Sequence, residues 1–109
     1  MGNNLTSINL DNTSALNQLF ASDNQLTSLD ISHITTLGSI DLDNNLLESL
    51  NIKNGRIQWF MKIAENPELQ YICVDENEQN IIQTVVDDLG YTNCVVNTFC
   101  TFDPERFLM

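Results

Sequence analysis

The chain has 109 residues, of which 42% are hydrophobic and 17% charged, so its size and composition are those of a folded protein of one domain. Fifteen acidic residues against four basic residues give a formal net charge of −11. This balance argues against nucleic acid and anionic membrane surfaces as partners, and no stretch of the sequence predicts membrane insertion. Solubility is the simplest role of the acidic excess.

Apolar residues recur regularly between positions 1 and 74, in the pattern leucine-x-x-leucine-x-leucine. The first residues of successive units are Leu5, Leu16, Leu26, Leu37 and Leu47, so steps of eleven and ten alternate and the full period is a 21-residue block with two similar halves. A sixth unit keeps Met61 and Ile63 but has Gln58 where a leucine is expected, and a seventh begins one residue late at Leu69. The five complete units are Leu5-Ile8-Leu10, Leu16-Leu19-Ala21, Leu26-Leu29-Ile31, Leu37-Ile40-Leu42 and Leu47-Leu50-Ile52.

The last two apolar positions of each unit alternate with polar residues, which predicts a short strand with one buried face. Ten or eleven residues for a strand and its turn leave little room for helices, so we expect the strands to stack in parallel along a solenoid. An asparagine follows the second half-unit of each period, at Asn24, Asn45 and Asn66. Asparagine side chains satisfy backbone groups at turns, and we expect these three to form a buried ladder.

This repeat resembles the leucine-rich repeat family, in particular the 21-residue class of bacterial secreted and surface proteins that includes internalin-like adhesins. The likeness rests on "LTSLDIS", "LNQLFASDNQ" and "NNLLESLNI". The tail, "ENPELQYICVDENEQ" followed by "DDLGYTNCVVNTFC", is similar to segments that end such repeats in exported proteins of Bacteroidetes. The resemblance implies a secreted or cell-surface location and a place within a longer protein. Ala21 and Leu42 occupy positions that are often cysteine in this class, so no cysteine ladder is expected.

The segment 75–109 is predicted to cap the repeats of residues 1–74, because the last unit of a stacked array exposes its apolar cross-section. Asp75 followed by Glu78 fits a helix capping box, and apolar residues at helical spacing predict a helix over 78–89 that ends before Gly90. A β-branched stretch predicts a strand over 94–99. The expected βαβ-like arrangement brings Cys73 close to Cys94, which favours that disulfide, with Cys94–Cys100 as the alternative.

No sequence pattern indicates catalysis, a metal site or a cofactor. His33 is the chain's one histidine and lies in a loop without the context of a nucleophile. Asp41 and Asp43 are better explained as a strand and a turn residue than as paired catalytic carboxylates. The acids of "DENE" lack the order of a calcium-binding loop.

The outward positions of the second half-units form the candidate ligand-binding face. Aromatic residues are frequent interface anchors, and this face carries two phenylalanines beside the chain's one tryptophan. We therefore expect a non-enzymatic module that displays a rigid strand face to a protein or glycan ligand. The alternative is a spacer or capping module without a ligand, in which Trp59 and Phe60 are buried. Self-association through the uncapped N-terminal unit is a further expectation. The candidate residues are Gln18, Phe20, Ser39, Asp41, Trp59, Phe60 and Lys62.

Overall fold

The computed structural model describes residues 4–10 and 15–100 of the chain. This part is an α/β fold with seven short parallel strands in two sheets and one α-helix. Each strand has three residues. In most strands the middle side chain faces inward and the two flanking side chains face outward. The strands are β1 Gln18–Phe20, β2 Ser28–Asp30, β3 Ser39–Asp41, β4 Ser49–Asn51, β5 Phe60–Lys62, β6 Tyr71–Cys73 and β7 Val95–Asn97.

The first six strands alternate between the two sheets along the chain. One sheet has the order β1-β3-β5 and the other the order β2-β4-β6-β7, and every pair is parallel. Gln18 pairs with Ser39, and Ser39 with Phe60, so neighbouring strands follow the 21-residue period of the sequence. Ser49 pairs with Tyr71, one residue further on, because the seventh apolar unit begins late.

The core takes the middle residue of each strand. Leu29, Ile40, Leu50 and Ile72 are buried in one apolar cluster that includes residues of both sheets. The same cluster includes Ile82 and Val86 of the helix, with half-buried residues such as Ile8 packed against it. Since each three-residue strand contributes so little surface alone, its stability depends on these contacts with neighbouring repeats.

Asn24, Asn45 and Asn66 are buried at equivalent points of successive repeats. The Asn45 side chain accepts the backbone N–H of Leu26 at 3.0 Å and donates to the carbonyls of Ala21 and Leu42, each at 3.0 Å. Asn24 and Asn66 accept from Leu5 and Leu47 in the same way, 19 residues earlier in the chain. These bonds satisfy backbone groups that burial would otherwise leave unpaired.

Each of these asparagines follows a residue with left-handed backbone. Asp23, Asn44 and Glu65 have φ values of 60°, 58° and 57°. Non-glycine residues seldom adopt this region, and asparagine and aspartate tolerate it best, so two of the three positions hold favoured residues. The conformation turns the chain sharply after the strand and aims the following asparagine into the core.

The C-terminal segment contains a short 3₁₀ turn at Glu76–Glu78 and helix α1 at Gln79–Asp88, followed by β7 beside β6. The helix predicted at 78–89 and the strand predicted at 94–99 are therefore present but shorter. Gly90, with φ 77°, ends the helix: its N–H donates to Asp87 and the N–H of Tyr91 donates to Val86, each at 3.1 Å. This is the hydrogen-bond pattern of a glycine C-cap, as the sequence predicts.

The predicted capping box does not form. Neither Asp75 nor Glu78 makes a side-chain cap hydrogen bond to the helix. Asp75 instead accepts the backbone N–H of Gly55 at 3.0 Å, and Glu78 accepts that of Gln58 at 2.7 Å. Both carboxylates bind the 54–58 loop because this loop presents backbone donors toward the start of the helix. The two acids thus attach the helix to the preceding repeat.

The disulfide joins Cys73 to Cys100, with Cα atoms 4.9 Å apart, and Cys94 is a buried free thiol. The predicted Cys73–Cys94 bridge and its alternative Cys94–Cys100 are therefore wrong. In the β6–β7 register Cys73 lies opposite Asn97, while Val95 lies opposite Tyr71. Cys94 is thus about three residues, or roughly 10 Å, from Cys73 along the strand direction, beyond the reach of a disulfide.

Candidate functional site

The candidate face lies on the outer side of the β1-β3-β5 sheet. The register places Gln18, Ser39 and Phe60 in one row across the sheet and Phe20, Asp41 and Lys62 in the next. These are the two columns that the repeat predicts. Phe20 and Phe60 lie on the two outer strands, diagonally across the central strand β3, and their rings meet over it.

Three aromatic side chains meet on this face: Phe20, Trp59 and Phe60, hereafter the aromatic cluster. The ring centroids of Phe20 and Phe60 are 6.5 Å apart with an interplanar angle of 87°, and those of Trp59 and Phe60 are 6.2 Å apart at 50°. The residues nevertheless remain exposed, at 60% for Phe20, 66% for Trp59 and 39% for Phe60. Edge-to-face contacts hold the rings together while leaving much of their apolar surface in water.

Trp59 lies against the backbone of Gly38. A Cβ atom on Gly38 would be 2.9 Å from Cδ1 of Trp59 and 2.9 Å from Nε of Arg56, closer than side-chain atoms normally approach. The backbone N–H of Trp59 also donates to the Gly38 carbonyl at 2.9 Å. Glycine is therefore needed at position 38 for the close approach of the indole, and this contact fixes one side of the aromatic cluster.

The polar members of the candidate face differ in accessibility. Ser39 is only 1% exposed although its position faces outward, so it is unavailable to a ligand. Gln18 is exposed. Asp41 is half-buried, and its carboxylate accepts the backbone N–H of Asp43 at 3.1 Å, which closes the turn after β3. Asp41 and Asp43 thus serve the strand and turn roles that the sequence predicts.

Lys62 borders the aromatic cluster and pairs with Asp43 at 3.2 Å between Nζ and Oδ2. The hydrogen bond and charge of Asp43, with the charge of Asp41, raise the pKa of Lys62 above its usual value. The second carboxylate oxygen of Asp43 accepts the backbone N–H of Ala64 at 2.7 Å. Lys62 therefore keeps its positive charge, which the carboxylate of Asp43 partly balances. A partner would encounter an apolar patch bordered by this cation–carboxylate pair.

The second sheet has a different outer surface. The outward residues of β2 and β4 are small and polar, and together with Tyr71 and Cys73 of β6 they line an open cavity of about 340 Å³. The Cys73–Cys100 bridge brings residue 100 back over this surface, where Cys100 contributes to the cavity wall. The floor includes Ser28, Asp30, Ser49 and Asn51. The cavity lining offers hydroxyl, carboxylate and amide groups, whereas the aromatic cluster marks the first sheet.

Sequence reasoning missed a buried polar network beneath the 54–58 loop, formed by Asn54, Gln58 and Glu78. Gln58 Nε2 donates to Asn54 Oδ1 at 3.1 Å, and the Gln58 N–H donates to Glu78 Oε2 at 2.7 Å. The signal was visible, because Gln58 stands where the repeat calls for leucine. A polar residue at a core position needs hydrogen-bond partners, and these come from the loop and from the start of α1.

Over residues 4–10 and 15–100, no cluster of three histidine, cysteine, aspartate or glutamate side chains could hold a metal ion, and no helix has the length and apolar character needed to cross a bilayer. His33 is exposed and donates from Nε2 to the Leu10 carbonyl at 3.0 Å. Comparison of this chain with protein-family models, with curated proteins and with solved structures found no match.

Proposed function

We propose that the chain is a leucine-rich-repeat solenoid module of an exported bacterial protein, and that it binds a partner without catalysing a reaction. The 21-residue spacing of paired strands and the buried asparagine ladder support the solenoid. In such an array the outward side chains of one sheet are held about 4.8 Å apart. Little conformational entropy is then lost when a partner binds.

The exposed aromatic cluster is the observation that carries the binding proposal. Phe20 and Trp59 each keep about two thirds of their surface in water, at 60% and 66%. Clustered exposed aromatics are costly to maintain and are the usual anchors of protein interfaces. The packing of Trp59 on Gly38 and the ring contacts of Phe60 pre-organise this surface before a partner arrives.

A protein partner suits the cluster better than a glycan. Sugar rings stack on flat aromatic faces, whereas the rings here meet at 87° and 50° and form an uneven surface. Apolar side chains of a protein can fill the spaces between inclined rings. Arg56 beside Trp59 and the Lys62–Asp43 pair at the border would add polar contacts around this apolar centre.

An oxidising compartment is proposed for the protein, outside the cytoplasm. The Cys73–Cys100 disulfide supports this location, since structural disulfides persist in secreted and surface proteins and are rare where thiols are kept reduced. Self-association through the N-terminal repeat, around the exposed Leu5, remains a prediction that sedimentation velocity at several protein concentrations would test.

The alternative function is a structural spacer or cap without a ligand. It requires Trp59 and Phe60 to be buried, and their exposure of 66% and 39% favours the binding module instead. The spacer would gain support if neither a protein partner nor a glycan bound the purified chain.

The test begins with capture of partners from bacterial and host extracts and with a glycan array, followed by affinity measurement with the purified partner. Phe20→Ala/Phe60→Ala should weaken binding at least about tenfold, the loss of roughly one anchor contact. Phe99→Ala is the matched control, because Phe99 is similarly exposed, at 63%, but follows β7, which is a strand of the other sheet. Equal affinity of the double variant and the wild type would exclude the aromatic cluster as the binding face.

A further inference from the structure

The buried polar network of Asn54, Gln58 and Glu78 has a hydrogen-bond direction that its neighbours fix. Asn54 Nδ2 donates to the carbonyls of Ile34 and Leu37, at 2.8 and 3.0 Å, so its Oδ1 is left as an acceptor. Gln58 Nε2 donates to that oxygen at 3.1 Å and to the Arg56 carbonyl at 2.9 Å. The amide of Gln58 cannot be reversed without placing its oxygen against two acceptors.

This orientation leaves Gln58 Oε1 as a buried acceptor without a donor. Oε2 of Glu78 receives the Gln58 N–H, while Oε1 of Glu78 is also buried and unpartnered. The two residues are exposed by only 5% and 0%. Two unpaired acceptors on residues that already share a hydrogen bond would be a costly arrangement, because neither oxygen recovers the hydration that it lost.

Among residues 4–10 and 15–100, no positively charged side chain pairs with Glu78. Arg56 belongs to the facing loop, but its Nε lies beside Gly38 and Trp59. Asp75 is the ionised group that acts on Glu78, and it carries the same charge. Burial is the largest cause that raises the pKa of Glu78 above its ordinary value, and the charge of Asp75 adds to it, although the backbone N–H groups of Gln58 and Asp75 act in the opposite direction.

We propose that Glu78 is a proton-binding latch: its protonated carboxyl group donates from Oε1 to Oε1 of Gln58 and so holds the 54–58 loop against the start of α1. One hydrogen then satisfies both orphaned oxygens, while Oε2 still accepts the Gln58 N–H. When the proton leaves to solvent, the buried carboxylate faces an unpaired amide oxygen and a neighbouring aspartate. The loop and the adjoining Trp59 loosen as pH rises.

The sign of the effect follows from the direction of the shift. A carboxyl group whose pKa is raised by folding stabilises the fold fully below its unfolded pKa, here 4.5, and this stabilisation is lost as pH rises through the folded value. Glu78 is one of 15 acidic residues in the chain. The contribution of Glu78 must therefore be isolated by comparing variants that differ by one charge.

The direct test is a carbon-detected NMR titration of the wild-type side-chain carboxyl groups. The Glu78 signal should titrate above pH 4.5. Trp59 is the chain's one tryptophan and follows Gln58 directly, so its fluorescence should change over the same pH range as the Glu78 signal. A Glu78 midpoint at or below 4.5 would overturn the proposal.

Glu78→Gln supplies a permanent donor, because its amide can give N–H to Gln58 Oε1 while its oxygen accepts from the Gln58 backbone. Relative to wild type, its melting temperature should be similar near pH 4 and higher by several degrees at pH 7, and its Trp59 fluorescence should not titrate. Glu76→Gln removes the same charge from an exposed site and should retain the pH-dependent change of Trp59 fluorescence that the wild type shows. A Glu78→Gln variant that is less stable than wild type at pH 7, or a retained fluorescence titration, would refute the latch.

Discussion

The Oδ1 atom of Asn45 lies 3.0 Å from the backbone nitrogen of Leu26, nineteen residues earlier in the chain. The same amide group donates to the carbonyls of Ala21 and Leu42, one from each of two successive repeats. A single side chain thus joins two repeats through their backbones. This explains why the period must be respected at the asparagine positions as well as at the leucines.

Asn45→Ala should lower the free energy of unfolding by about 3 kcal/mol, because it removes several buried hydrogen bonds and leaves the Leu26 N–H unpaired. Urea denaturation monitored by circular dichroism would measure the change. Asn80→Ala is the control, since Asn80 is exposed on α1, and it should change stability by less than about 0.5 kcal/mol. A loss below about 1 kcal/mol for Asn45→Ala would show that the ladder contributes little.

Cys100→Ser should destabilise the oxidised protein by about 3 kcal/mol, because the Cys73–Cys100 bridge closes a loop of 27 residues. Cys94→Ala removes only a small buried side chain and should cost about 1 kcal/mol. Thermal unfolding of both variants, with and without a reducing agent, separates the two effects. The opposite order of destabilisation would favour a Cys73–Cys94 bridge.

Cys94 should resist alkylation in the folded protein. Burial raises the pKa of its thiol to about 11, so at pH 8 only about one molecule in a thousand carries the reactive thiolate. Iodoacetamide labelling followed by mass spectrometry should find almost no modification of the native chain and one labelled cysteine after unfolding without reductant. Rapid labelling of Cys94 in the native protein would contradict its burial.

Gly38→Ala should displace the indole of Trp59, because the new Cβ would lie 2.9 Å from its Cδ1 atom. A shifted Trp59 emission maximum and weaker partner binding are expected. Gly90→Ala is the matched control: its φ of 77° also disfavours alanine, at a cost of about 1 kcal/mol, but no atom lies within 4 Å of the added carbon. Trp59 emission should therefore stay unchanged in Gly90→Ala, and an equal shift in both variants would point to general loosening.

Phe20→Ala should have little effect on stability, within about 1 kcal/mol, because most of the ring is in water. Leu50→Ala, which empties a core position, should cost about 3 kcal/mol. Chemical denaturation of the two variants provides the comparison. If Phe20→Ala were as damaging as Leu50→Ala, the aromatic cluster would be part of the folding core and its loss could not be used to assign binding.

The periodic part of the fold was predictable because a regular spacing of apolar residues indicates both where the strands lie and which strands pair. An alternation such as Leu29-x-Ile31 predicts a strand, and the 21-residue recurrence predicts which strands are neighbours. Phe20 and Phe60 could be assigned to one face by the same reasoning. That assignment needed only the strand register and the alternation of inward and outward positions, and the repeat supplies both.

Features outside the repeat were not predictable in this way. The pairing of the cysteines depends on the β6–β7 register, which the sequence between Val74 and Val95 does not determine. The roles of Asp75 and Glu78 depend on backbone donors of Gly55 and Gln58, about twenty residues away. Ser39 follows the outward pattern but is buried, because burial also depends on neighbouring large side chains.

The left-handed residues Asp23 and Asn44 bear on how a chain of this kind could change its length. Both have φ near 60°, and each is followed by an asparagine with the same bonding pattern. A duplication or loss of the block from Asn24 to Asn44 would therefore join backbone ends that already share one conformation. Growth by whole 21-residue blocks would keep this conformation at every junction, whereas an insertion of another length would have to be absorbed between strands, as the extra residue between Ser49 and Tyr71 is.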